Sequence, residues 1–481
     1  MPLSGRKSRH LVHGAGCSCF SPVLQQASRR LDAFSRRSFL SCVATAAAVG
    51  ALGARSSFAQ GARESAKTLF TKVRLFDGTS DALRSGVQIL VEGNRIASVD
   101  TTNSAPPAGA TVIDCADRVL MPGMIDAHWH TLYAAVPMAV LMTADPGFVF
   151  AASTAEAERT LLRGFTTLRD VGGPVFTFKQ AIDAGVIPGP RIYPSGAMIT
   201  TSGGHGDLRM PTEFPRNGSQ LSFSELNGHA AIVDSVGDLK TRVREQLLQG
   251  ASQVKLVGGG GVSSPRSPLD MSTFSEDELR AAVDVARDWN TYVTVHAYAS
   301  NTVQRAIAAG AACIEHAHLM DDATAKIMAD KGVWLSTQPF VSRDDVAEQT
   351  GASFDRMNQV FAGTPKIYEL VRKHGIKTAW GSDILFSPAL TPRQSFMLTH
   401  LSRWYTNAET LRMATSRNAE LLALSRLRNP YPGKLGVIEK AAFADLLVVN
   451  GNPLDDIHLL EDPAKNLAVV MKDGRIHKNT L

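Results

Sequence analysis

Met121-Pro122-Gly123-Met124-Ile125-Asp126-Ala127-His128-Trp129-His130 carries an apolar run into two histidines one residue apart. On a strand, residues i and i+2 face the same side. His128 and His130 would therefore aim two imidazoles at one point, a chelate suited to a transition metal. Two surface histidines paired by chance are the bland alternative. The chelate reading thus requires further ligands at the ends of later strands.

From residue 121 to residue 430, short apolar runs alternate with helical patterns, the signature of βα units around a parallel sheet. Strands are expected at 123–127, 166–168, 191–195, 254–257, 292–295, 313–315, 334–337 and 378–380. Eight is the number that closes a TIM (β/α)8 barrel. Ser275-Glu276-Asp277-Glu278 reads as a capping box that starts a helix. A helix over 365–374 is predicted to stop at Gly375. Residues 61–120 and 431–481 read instead as short strands joined by turns such as Glu92-Gly93-Asn94. The simplest account is an α/β protein in which one β-sandwich, built from both chain ends, flanks the barrel. Two independent small sheets are the alternative.

The 481 residues carry a formal charge of +5, and residues 1–60 supply +7 of it. The remainder is nearly neutral, with no nucleic-acid footprint. In the leader, Ser35-Arg36-Arg37-Ser38-Phe39-Leu40 precedes an alanine-rich apolar run and Ser57-Phe58-Ala59. That order reads as a signal peptide, with cleavage expected after Ala59. The paired arginines resemble the twin-arginine export signal, which implies a periplasmic or secreted protein. The apolar run is short for a membrane span, so no stable membrane insertion is expected. Cys17, Cys19 and Cys42 lie in the leader, leaving only Cys115 and Cys313, so no disulfide framework is expected.

In a barrel of this kind the site forms at the C-terminal strand ends. The first strand gives His128 and His130, the fourth Lys255, the fifth His296, the sixth His316 and the eighth Asp383. Such a set suits a centre with room for two divalent ions. Alone, His296 or His316 would read as a core histidine, and Asp383 as a helix cap. Lys255 is harder to dismiss, because a lone buried ammonium is costly.

This series resembles the amidohydrolase superfamily, which has His-x-His after strand one, a carboxylated lysine after strand four, histidines after strands five and six and an aspartate after strand eight. Residues 120–126 and 443–449 are similar to segments bordering that family's barrel. Tyr193-Pro194-Ser195-Gly196-Ala197, Gly203-Gly204-His205-Gly206-Asp207 and the glycine-rich stretch after Lys255 resemble a branch of imidazolonepropionase-like proteins, Xaa-Pro dipeptidases and ochratoxin-hydrolysing amidases. The resemblance implies an N-carboxylated Lys255 bridging two divalent ions, commonly zinc. His128, His130 and Asp383 would hold one ion, and His296 and His316 the other. The ions would lower the pKa of a shared water. Asp383 would take its proton, and His205 would steady the oxyanion. Many such relatives are homo-oligomers.

The expected activity is hydrolysis of an amide bond in a small N-acyl amino acid, a dipeptide or an ochratoxin-like molecule. A cyclic-amide or lactone hydrolase is the alternative, and a non-catalytic periplasmic binding protein a further one. A substrate carboxylate would need a cation. Arg169, Arg209 and Arg266 are the candidates, with Tyr298 adding a hydroxyl, although Arg169 could instead pair with Asp170. Trp129 and Tyr298 depart from the branch and place bulk near the site, although Trp129, lying between the two ligands on a strand, would point away from the metals and shape the wall beside them.

Overall fold

The computed structural model describes residues 66–101, 104–215, 220–264 and 266–481. The leader, with its paired arginines and cleavage position, lies outside the described residues. Among those described, no helix is long and apolar enough to cross a membrane. Cys115 and Cys313 are both buried and unpaired.

The first five strands are β1 (Lys67–Leu75), β2 (Arg84–Glu92), β3 (Arg95–Asp100), β4 (Thr111–Asp114) and β5 (Val119–Pro122). The last three are β16 (Leu446–Val449), β17 (Leu467–Lys472) and β18 (Arg475–Asn479). All eight join one mixed sheet, because β16 pairs antiparallel with β5 on one side and β17 on the other. Alternate residues such as Val73, Leu75, Ile89, Leu446 and Val448 bury a common apolar face, the period-2 pattern that a half-buried sheet requires.

The central strands are β6 (Met124–Trp129), β7 (Phe165–Asp170), β8 (Arg191–Pro194), β9 (Met198–Thr200), β10 (Ala230–Ile232), β11 (Val254–Val257), β12 (Val293–Ala299), β13 (Cys313–Leu319), β14 (Trp334–Thr337) and β15 (Thr378–Trp380). Every pairing among them is parallel. They form a three-stranded run β6-β7-β8 and a seven-stranded run β10-β9-β11-β12-β13-β14-β15. Hydrogen bonds bridge both gaps: Ser252 N to Pro194 O at 2.8 Å, and Asp383 N to His128 O at 2.9 Å. Their apolar, turn-bounded sequences are those of strands covered on both faces. This α/β arrangement is consistent with a fold that contains a TIM barrel.

All eight strand expectations find a strand, three with identical bounds. The short β9 and β10 lie between β8 and β11 and were not anticipated. Strands β12 and β13 run on to Ala299 and Leu319, so His296 and His316 sit inside strands rather than at their ends. The capping box is made: Ser275 Oγ accepts from Glu278 N at 3.3 Å, and Glu278 Oε2 accepts from Ser275 N at 2.8 Å. The helix ending at Gly375 (φ 64) begins much earlier than expected, at Gly351, with Pro365 inside it. A continuous buried stripe of Val360, Ile367, Tyr368 and Val371 outweighs the break that proline favours.

Gly123 marks the handover from the mixed sheet to the central strands. Its N–H donates to Asp445 O at 2.8 Å. A Cβ there would sit 2.2 Å from Thr166 Oγ1, so only glycine fits between β5 and β6. Nearby, Arg191 on β8 is buried and bonds both oxygens of Asp445, at 2.7 and 2.9 Å. This ion pair, both bonds donated by Nη1, ties the mixed sheet to the parallel strands.

Candidate metal centre and active site

The six residues read from strand ends line one cavity: His128, His130, Lys255, His296, His316 and Asp383. His128 Nε2 lies 3.2 Å, and His130 Nε2 3.4 Å, from Asp383 Oδ1. Ligand atoms of these three residues all fall within 4.8 Å of one another, a grouping that fits a metal ion. The imidazole centroids of His128 and His316 are 4.9 Å apart, and those of His316 and His296 4.4 Å. Four imidazoles thus form one contiguous cluster, three of them within 4 Å of an Asp383 oxygen.

Each histidine is oriented by its other ring nitrogen. His130 Nδ1 donates to Gly172 O at 3.1 Å, His296 Nε2 to Gly260 O at 2.8 Å and His316 Nδ1 to Gln338 Oε1 at 2.7 Å. His128 Nδ1 donates to the Glu315 carboxylate at 2.8 Å. These bonds orient the rings so that Nε2 of His128, His130 and His316, and Nδ1 of His296, are the nitrogens free to face a metal.

Asp126, from the opening stretch, clamps the first strand to the last. It accepts from His128 N at 3.0 Å, Ser382 N at 3.1 Å, Ser382 Oγ at 2.6 Å and Gln394 Nε2 at 2.9 Å. Burial raises its carboxyl pKa against these bonds. His316 (φ 75) and Asp383 (φ 52) occupy the left-handed region. Strain of that kind, of order 1 kcal/mol or more per residue, persists only where the surroundings over-determine it. Gly381 permits the close approach at the seam, since a Cβ there would lie 2.4 Å from His128 N. Gly381→Ala is therefore expected to destabilise the protein by about 1–3 kcal/mol, read as a lower denaturant midpoint at unchanged m-value.

Lys255 is 2 % exposed and has no hydrogen bond or ion pair among the described residues. Burial pushes its pKa down, although Glu315 and Asp383 pull the other way. Burial likewise tends to raise the Asp383 carboxyl, but His128 and His130 outweigh it and hold it well below the usual range. His205 stacks on His296 with centroids 4.6 Å apart, and its buried Nδ1 has no hydrogen-bond partner among the described residues. Burial and then Lys255 push its pKa down to about 4, so it is neutral at pH 7. Tyr298 stacks on His316 at 4.9 Å and lines the same cavity.

The three arginines do not join this cluster. Arg169 lies within β7, fully buried, and its Nη2 pairs with Glu315 Oε1 at 2.6 Å rather than with Asp170 or a substrate. Arg209 is held by Asp207, with Nη2 2.6 Å from Oδ2. Arg266 is exposed, and none of the three lines the cavity. Trp129 points away from the ligands, as alternation on a strand predicts, but it packs into the main apolar core and does not line the cavity wall. Glu315, Asp126 and Gln338 escaped the reading of the sequence. The available signal was a charged residue inside an apolar strand, as in Cys313-Ile314-Glu315-His316.

A family model described as "Amidohydrolase family" matches residues 119–477. Ochratoxinase of Aspergillus niger is 27% identical over 424 residues, covering 84% of this chain and 85% of that protein. Imidazolonepropionase of Anaeromyxobacter sp. (strain K) is 25% identical over 429 residues, covering 83% and 92%. Among solved structures, a prolidase complexed with N-methylphosphonate-L-proline is 33% identical, with TM-score 0.78 over 86% of this chain and all of the other. A Xaa-Pro dipeptidase with methionine in its active site is 28% identical, with TM-score 0.71 over the same shares. Sequence, fold and the clustered side chains agree, and this chain belongs to the amidohydrolase family, in the branch of imidazolonepropionases, Xaa-Pro dipeptidases and ochratoxinase, as a hydrolase of C–N amide bonds.

Proposed function

We propose that the protein is a binuclear-metal amidase cleaving small N-acyl amino acids, dipeptides or ochratoxin-like amides after export through the twin-arginine route. The reading takes the parallel strands as a (β/α)8 barrel and the mixed sheet as part of a β-sandwich built from both chain ends. One observation carries it: the donors of His128, His130 and Asp383 converge within 4.8 Å, beside a buried Lys255 that has no hydrogen bond or ion pair among the described residues. Carboxylation of Lys255 forms an N–C bond to CO2 and releases one proton. It turns an unpaired buried amine into an anion that two cations can share. His128, His130 and Asp383 would hold one ion and His296 and His316 the other, with carboxylated Lys255 supplying anionic oxygens to the centre. Divalent zinc, when bound, supplies a Lewis acid for the carbonyl and lowers the pKa of water.

The chain's own groups then divide the work. Asp383 accepts the proton of the attacking water at a carboxylate oxygen and returns it to the leaving nitrogen. Neutral His205 donates a hydrogen bond to the carbonyl oxygen as charge builds there. The Tyr298 hydroxyl offers a further donor from the same wall.

Met198, Leu208, Phe340, Val346, Met357 and Phe386 make much of that wall apolar. Burying one large apolar side chain contributes about 1.5–3 kcal/mol. N-acyl phenylalanine is therefore expected to exceed N-acyl glycine by roughly 10–100-fold in kcat/KM, measured by release of the free amino acid. Equal values would remove the apolar pocket from the account, and failure to cleave any amide in a dipeptide and N-acyl amino acid panel would remove amidase activity itself. The similarity to imidazolonepropionase supports cyclic-amide hydrolysis as a second reading, so cyclic amides and lactones belong in the same panel.

A further inference from the structure

All four histidines of the centre rest their second nitrogen on an acceptor, but only one of those acceptors is charged. Those of His130, His296 and His316 are two backbone carbonyls and a side-chain amide. That of His128 is the carboxylate of Glu315. The other oxygen of Glu315 receives Arg169 Nη2 at 2.6 Å and the Thr294 hydroxyl. Arg169 also reaches the backbone, where its Nε donates to Ala127 O at 2.5 Å, the carbonyl directly before His128. Both charged residues are fully buried. They therefore grip His128 twice, at the ring and at the peptide that carries it. Neither group lines the cavity, so neither is placed to touch substrate.

A charge-assisted hydrogen bond is shorter and stronger than a neutral one, and a carboxylate behind an imidazole raises its basicity toward a metal. The chain supplies this only at His128. We infer that Glu315, backed by Arg169, is a positioning residue that makes the His128–His130–Asp383 position the tighter of two metal positions. This ranking rests on the two-metal reading above.

The test is a chelator titration of purified holoenzyme, following metal retained per chain. Wild type is expected to release its two ions in two resolved steps. Glu315→Gln keeps the shape and an acceptor but removes the charge. It is expected to weaken the tighter step by about 10–100-fold, the usual cost of losing an outer partner, and to leave the weaker step in place. Because this variant strands the Arg169 cation, the double variant Glu315→Gln/Arg169→Met removes both charges. Its melting temperature is expected to recover toward wild type while the tighter step stays weakened. Two unchanged steps in both variants would overturn the ranking, as would equal weakening of both steps, the mark of a general loosening. A wild type holding fewer than two ions would overturn the two-metal reading and the ranking with it.

Discussion

Lys255→Ala is expected to abolish binuclear metal loading and to reduce kcat by at least about 10³-fold, within the range that positioned acid–base and electrostatic groups contribute. The amine lies on β11 between Val254 and Leu256, nearly inaccessible and without a partner among the described residues. In that setting an ammonium is unstable, and burial already drives its pKa down. A group so placed must either lose its proton or be converted into something its neighbours can bind. Alanine deletes the proposed bridge while removing a costly buried amine, so stability should be little changed. Elemental analysis beside thermal melting separates the two effects. Metal content equal to wild type, in a folded Lys255→Ala protein, would sink the carbamate.

Asp383→Asn should reduce kcat by about 10²–10⁴-fold, the contribution of a positioned general base, with a much smaller change in KM. Asparagine is the informative replacement for a backbone reason. Residue 383 sits at φ 52, a conformation that aspartate and asparagine tolerate better than most residues. The variant therefore keeps the turn and its 2.9 Å bond to His128 O while losing the proton acceptor. Alanine would add backbone strain and blur the result. A kcat within tenfold of wild type would transfer the proton-accepting role to another group.

The metal-ligand candidates were legible because each stands in or just beyond a short apolar run, and parallel strands repeat that geometry. Glu315 and Arg169 were not, because their meaning is tertiary. They pair across 146 residues of chain, and nothing local announces it. Arg169 misled in a specific way: beside Asp170 it resembled a loop residue, whereas β7 extends through Asp170 and turns Arg169 inward. Strand alternation correctly turned Trp129 away from its two neighbouring ligands, but its burial in the core, rather than in the cavity wall, is again a tertiary fact. Pro365 shows the limit of local punctuation, as a long buried stripe carried its helix straight through. The joining of both chain ends into one sheet was readable as likeness of pattern, but the pairing of β16 with β5 is a long-range contact that no local motif encodes.

The clamp at Asp126 has a consequence for assembly. Its bonds to Ser382 span 256 residues, so the first ligand pair and the proposed base meet only when the last parallel strand arrives. Contacts of such separation carry the loop-closure cost that slows folding. A chain stalled before β15 would display His128 and His130 without Asp383, a half-site with weak hold on any ion. Completion of the three-residue grouping would thus report that the first and last parallel strands had met. Loss of the Asp126–Ser382 bonds would part His128 and His130 from Asp383 at this seam.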